Sequence, residues 1–341
     1  NGLDDPSAHF QTALHSSTNA ATITNDGNSD LKPDLIWSKA RGAAYNHALY
    51  DSTRGVTKYL RSNATGAETT ASSGFDLTSF NTDGFSTGNN QFNTICGGTT
   101  YVAWQWKANG GTTSTDTTSS INSTVQVNSD AGFSIVTYTG DGTTTGGFGH
   151  GLGVAPKVVF VKRRNDAANW CVYHKDMGAA YFMKLDTGDA KASGVWQDLD
   201  PSSNTVVVYN GALVNGNGST YVAYCFAEKQ GYSKFGSYVG NGQSLNGPFV
   251  YTGFKPAWVM IKNTETANRN WYIYDIKRRT FNANGTIVSA NTSSAEATDQ
   301  AIDMLSNGFK VKPGALGSFG TSNINHSGQK MIYMAFAENP F

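Results

Sequence analysis

Charge is sparse in this chain: 15% of 341 residues, with Lys plus Arg and Asp plus Glu balanced at 25 each. A formal net charge of zero leaves nothing to recruit nucleic acid or an anionic membrane surface. The two basic runs, Lys162-Arg163-Arg164 and Lys277-Arg278-Arg279, are too short to track a phosphate backbone and read as solvated strand ends. Cysteine is scarcer still. Cys96, Cys171 and Cys225 are odd in number and unrelated in spacing, so no disulfide framework and no zinc site is expected, and Cys171 and Cys225 read as small buried thiols. No apolar run approaches the roughly 18 residues of a membrane span, so no membrane insertion is expected. The chain begins at Asn1 without Met and shows no cleavable signal segment, which fits a processed or excised piece.

What the chain does have is Gly, at 38 positions, with much Ser, Thr and Asn, and a large stock of aromatics: 7 Trp, 16 Tyr and 18 Phe. That composition belongs to a turn-rich β protein. The aromatic stretches recur. PDLIWSKAR from Pro33, PKVVFVKRR from Pro156 and PAWVMIKNT from Pro256 each open a block; HALYD, WCVY and WYIYD follow; TYVAWQWKA, TYVAYCFAE and MIYMAFAE close it. Repetition of this kind makes units of about 100 residues the object to explain. Upstream, His15, Tyr138 and Tyr238 each lie 18 positions before the block's proline, on a lead-in strand. Asp141-Gly142 and Asn241-Gly242 mark tight turns after the second and third lead-in strands.

Each proline introduces a short apolar run, Leu35 to Trp37, Val158 to Val161 or Trp258 to Ile261, that ends at Lys39, Lys162 or Lys262, the pattern of a strand buried on both faces. The closing strands alternate Val102, Trp104, Trp106, then Val222, Tyr224, Phe226, then Ile332, Met334, Phe336, a large apolar face in every block. The predicted fold is all-β: three tandem β-sandwich or jelly-roll-like repeat units with very little helix. The stretch 294–305, SAEATDQAIDML, is the best helix candidate, at one or two turns. The units are expected at 1–107 (diverged), 119–229 and 230–341, with a Gly/Ser/Thr linker at 108–118 that lets the first unit hinge.

Motifs for chemistry are few. Glu228 and Glu338 match in position at the ends of closing strands and read as solvated strand ends, not as the facing pair a glycosidase needs. Asp51 and Asp275 match as turn residues. The six histidines share no metal spacing, and nucleophile-elbow, zincin and phosphate-loop patterns are absent from the sequence. No catalytic residue, cofactor or metal site is assigned, and the chain is expected not to be an enzyme. Candidate ligand or partner contacts are Tyr138, Tyr238 and Trp196, aromatics near turns, and His150, set among glycines in GFGHGLG. Specific function is expected in the segments that do not repeat: 65–82, 186–204 and 282–299.

The runs NSTVQVNSDAGFSIVTYTGDG, GHGLGVAPKVVFVKRR, YVAYCFAEKQGYSKFGSYVGNG, GPFVYTGFKPAWVMIKNT and IYMAFAENPF resemble the repeated β domain of marine bacteriophage virion proteins. DPSAHFQTAL, YDSTRGVTKYLRS, FNTDGFSTG and TYVAWQWKANGG resemble its first copy, which departs from the pattern at Ser16 to Asn19, where TYTGDG would stand. The resemblance implies a non-enzymatic virion structural protein of tail, fibre or capsid decoration, assembled in the host cytoplasm and displayed on the particle. Other virion proteins and a host-surface glycan are the expected partners. A homo-oligomer is expected, with a trimer as the fibre-like case. The alternatives are a secreted bacterial carbohydrate-binding or adhesion module and, as a minor alternative, a glycan-degrading enzyme.

Overall fold

In the three proline-led strands, Leu35–Ala40, Val158–Arg163 and Trp258–Asn263, nearly every residue is buried. The reason lies on both sides of them. Each pairs with a closing strand (Tyr101–Trp106, Thr220–Phe226, Lys330–Phe336) and with a hairpin strand (Ala48–Asp51, Cys171–His174, Tyr272–Asp275). The lead-in strands Phe10–His15, Phe133–Thr139 and Ser233–Val239 pair with the far side of the closing strands. All these pairings are antiparallel. The computed structural model describes residues 3–209, 211–315 and 323–339, and we name its three large sheets I, II and III in chain order.

The registers match from sheet to sheet. Trp106 lies between Phe10 and Leu35, Phe226 between Phe133 and Val158, and Phe336 between Ser233 and Trp258. Because side chains alternate across a strand, this register sends the large residues of all three closing strands to one face. Those faces meet. Val102, Trp104 and Trp106, Val222, Tyr224 and Phe226, and Ile332, Met334 and Phe336 belong to a single apolar core shared by the three sheets. At its centre the rings of Trp106, Phe226 and Phe336 form a triangle with centroids 6.4, 5.8 and 5.6 Å apart. Edge-to-face pairs of this sort are worth about 0.5–1.5 kcal/mol each beyond the area they bury.

The opposite face of each sheet is covered by its own smaller layer. Sheet I packs on Ile23, Leu77 and Phe85 of a three-stranded sheet and sheet II on Phe148, Val206 and Val208 of a two-stranded one, whereas sheet III is covered by Val250, Ile302 and Phe309 from the far strands of its own eight-stranded sheet. The chain is therefore all-β and sandwich-built, with the only helical turns among the described residues being short 3-10 turns at Pro6–Ala8 and Lys175–Met177.

Two sequence expectations are corrected. The helix candidate is the strand Ala297–Leu305, held between Asn284–Ser289 and Gly308–Lys312 with Ala301, Ile302 and Met304 buried. Ladder pairing and burial on both sides override the local helix preference. The 108–118 stretch is not a loose tether. Asp34 accepts from the amides of Ala108 and Gly110 at 2.7 and 2.9 Å, and Gln126 Oε1 accepts from Asn109 and Gly111 at 3.1 and 2.8 Å. Ser114–Asp116 then adds a strand to sheet II. With the core shared as well, the expected hinge has no room to open.

Candidate functional site

The hairpin strands end in turns that fasten one sheet to the next. Asp51 accepts from the Arg54 amide at 2.8 Å and from Arg54 Nε at 2.5 Å, a local Asp-x-x-Arg turn. From there Arg54 and Asp51 both bond the Tyr224 hydroxyl on the closing strand of sheet II. Sheet III repeats the turn with Asp275 and Arg278, and Asp275 accepts the indole N–H of Trp104 on the closing strand of sheet I. In sheet II the matching residue is His174, whose Nε2 lies 3.2 Å from the Tyr333 carbonyl on the closing strand of sheet III. Sheet I holds II, II holds III, and III holds I.

A second set of contacts runs round the ring in the opposite sense. Lys39, Lys162 and Lys262 donate to their following carbonyls and to a carbonyl of the neighbouring sheet's chain: Ser293, Thr65 and Gly188 respectively, at 3.2, 3.0 and 3.4 Å. Burial lowers their pKa values to about 8, about 8 and about 7. Trp170 and Trp271 donate to the carbonyls of Arg61 and Lys184, and His47 Nε2 contacts that of Ser289. Arg164 and Arg41 grip Glu68 and Glu296 through two bonds each. The non-repeating segments are thus, in part, clasps: Thr65, Glu68, Gly188, Ser293 and Glu296 all lie in them.

These contacts overturn the reading of the two basic runs, 162–164 and 277–279, as solvated strand ends. Lys162 and Arg278 are buried, and Arg164 is ion-paired. Glu338 is no solvated strand end either. It is 2% exposed beside Lys277, and burial pushes its pKa up to about 7. Glu228 spends its carboxylate on the Phe235 amide and Lys234.

The four candidate contact residues are all buried and do not converge. Tyr138, 5% exposed, stacks on Phe148 and Tyr221 and donates to the Val214 carbonyl at 2.7 Å. Tyr238, 8% exposed, makes the matching bond to the Ile324 carbonyl at 2.6 Å. Trp196, 1% exposed, packs edge-on to Tyr173. His150 is fully buried, its Nε2 3.2 Å from the Ser202 carbonyl and its Nδ1 accepting from the Leu152 amide. Burial lowers its pKa, which keeps the ring neutral. Proximity to a turn misled: strand alternation points Tyr138 and Tyr238 inward, and the loop residues Trp196 and His150 are buried as well. Cys96, Cys171 and Cys225 are buried thiols. Among the described residues no group of three or more His, Cys, Asp or Glu side chains is placed to hold a metal ion.

What the surface does offer is a groove of about 490 Å³ on sheet II. Its floor comes from the strands Ser114–Asp116, Ser123–Asn128 and Phe133–Thr139, on the face that enters the shared core further along the sheet. Thr115, Asn122, Thr124, Thr137, Thr139 and Thr220 line it, with Asp141 and Arg164 at the rim. The sequence signal was available in the alternation Asn122-x-Thr124 and Thr137-x-Thr139, overlooked because Thr and Asn abound.

A family model described as a domain of unknown function, DUF7483, matches residues 5–340. The chain belongs to the DUF7483 family. No curated protein and no solved structure matches it. The DUF7483 match runs across sheets I, II and III together, in keeping with a core to which all three contribute.

Proposed function

We propose that this DUF7483 chain is a non-enzymatic structural component of a bacteriophage particle, in tail, fibre or capsid decoration, and that it contacts a host-surface glycan. The observation that carries the reading is the destination of its reactive side chains. Buried Asp-Arg turns, buried lysines and the indoles of Trp104, Trp170 and Trp271 are spent on fastening sheets to one another. Among the described residues the groove brings one carboxylate, Asp141, to its rim, so a facing acid pair for glycoside hydrolysis is not assembled there. The resemblance of the long sequence phrases to virion β domains points the same way.

The lateral faces that three separate sheets would bury against each other are already buried within one chain. Partners, whether further copies or other virion proteins, therefore attach to the outer layers. Locating the chain by imaging labelled, intact particles tests the reading. A chain found on the particle surface supports it; one found only as a secreted bacterial protein replaces it with an adhesion module, for which the groove would serve equally well.

A further inference from the structure

The groove on sheet II carries six polar side chains with no task inside the protein. The hydroxyls of Thr115, Thr124, Thr137, Thr139 and Thr220 and the amide of Asn122 form no hydrogen bond with any described residue, whereas nearby Ser120 and Ser123 bond the carbonyls of Gly147 and Gly149. They are ordered by the sheet. Thr115, Thr124 and Thr137 are register partners across three adjacent strands, and Thr139 and Thr220 partner each other one pleat along, with Asn122 beside them. Strand geometry spaces such a grid at about 4.8 Å across strands and roughly 6.8 Å along them.

The charges at the rim are largely committed. Arg164 is held by both oxygens of Glu68 at 2.9 and 3.1 Å, and one oxygen of Asp141 accepts from Thr143 and Asn215. Once Arg164 and Glu68 cancel, the remaining charge is the Asp141 carboxylate, a good acceptor for hydroxyls and a poor neighbour for an anion. β-branched threonines on a rigid sheet present their hydroxyls with little rotamer freedom left to lose.

We propose that this groove is the binding site for a neutral glycan, recognised by hydrogen bonds to the threonine grid and selected against acidic sugars by Asp141. The proposal rests on the reading of the chain as a surface-displayed particle component, and it names the site and ligand class. Tyr138 borders the groove, but its ring is stacked on Phe148 and Tyr221 and is not offered to a ligand, so each site binds weakly and many copies on one particle supply the avidity.

The test is an oligosaccharide array carrying neutral and acidic glycans, probed with the full chain in multivalent form. The Thr124→Val, Thr137→Val double variant deletes two hydroxyls and keeps the side-chain shape; Asn122→Ala, at an exposed position, is the independent variant. Neutral glycans are expected to bind, with at least tenfold loss in both variants and an unchanged melting temperature. Binding that ignores both variants, preference for acidic glycans, or no glycan binding at all would overturn the proposal. A chain that imaging places on the particle but that binds no glycan refutes the groove site and leaves the structural role; glycan binding by a chain absent from particles does the reverse.

Discussion

Trp104 and Asp275, 171 positions apart in the chain, are joined by an indole-to-carboxylate hydrogen bond of 3.0 Å. The Arg278 guanidinium, paired with the same carboxylate, sits 5.6 Å from the centroid of the same indole ring. The Tyr224 hydroxyl bridges Asp51 and Arg54 at the neighbouring junction.

These junctions differ in what their loss should cost. Tyr224→Phe deletes one oxygen and leaves the Asp51–Arg54 pair in place, so about 1–3 kcal/mol is expected. Asp275→Ala takes the nearest carboxylate from a buried guanidinium, leaving it Glu296 at 3.3 Å, and should cost roughly 3–5 kcal/mol. Denaturant titration of the two variants checks the order. If Asp275→Ala proved the milder change, the junctions would not be what holds the sheets together.

A shared core also predicts how the molecule unfolds. Sheets I, II and III should melt in one transition, with the calorimetric and van't Hoff enthalpies equal. A chain shortened to begin after residue 118 should expose the core faces of sheets II and III and fail to fold. Two resolved transitions, or a stable fragment, would mean the sheets are separable after all.

The buried lysines give stability a pH dependence. Lys39, Lys162 and Lys262 have pKa values lowered from 10.5 to about 8, about 8 and about 7 by burial. From about pH 7 to 9 the unfolded chain therefore holds more protons than the folded one, and stability rises with pH. Between about pH 9 and 10 the trend reverses, because burial raises the pKa values of the thiols Cys96, Cys171 and Cys225 and of Tyr50, Tyr138 and Tyr238, and the unfolded chain then loses those protons first. Denaturation midpoints at pH 7.0, 8.0 and 9.0 should climb, and Lys262→Met should flatten part of the climb. A falling midpoint would contradict the assignment.

Gly84 holds a conformation and a position that no other residue fits. Its φ is +87°, and a Cβ there would press on the carbonyl oxygen of Ile23 on the paired strand. Gly84→Ala should cost at least about 2 kcal/mol through backbone strain and displacement of that strand. A thermal melt within error of wild type would show that the turn relaxes freely.

Much of the strand framework was legible because its signals are local. Prolines, Asn-Gly and Asp-Gly turns and the alternation of Val102, Trp104 and Trp106 announce strands and their large faces without knowledge of neighbours. What those faces meet is not local, so the common core could not be read. The lysines show the difference most clearly. Lys39, Lys162 and Lys262 look like charged strand ends, and only the carbonyls of Ser293, Thr65 and Gly188 make them interior. Their recurrence at one position in all three blocks was the available clue, as was Asp-x-x-Arg at residues 51–54 and 275–278. Tyr138 and Tyr238 failed for the same reason in reverse, being aromatic near turns but committed to carbonyls of later loops.

Closure of three sheets within one polypeptide also frees each sector to vary. In an assembly of three identical chains every groove would appear three times, and any substitution in it would fall on all three interfaces at once. Here the strands Ser114–Asp116 and Ser123–Asn128 widen sheet II by themselves. One copy of the chain thus carries the threonine face of sheet II once, and substitutions there can accumulate without falling on the fastening of the other two sectors.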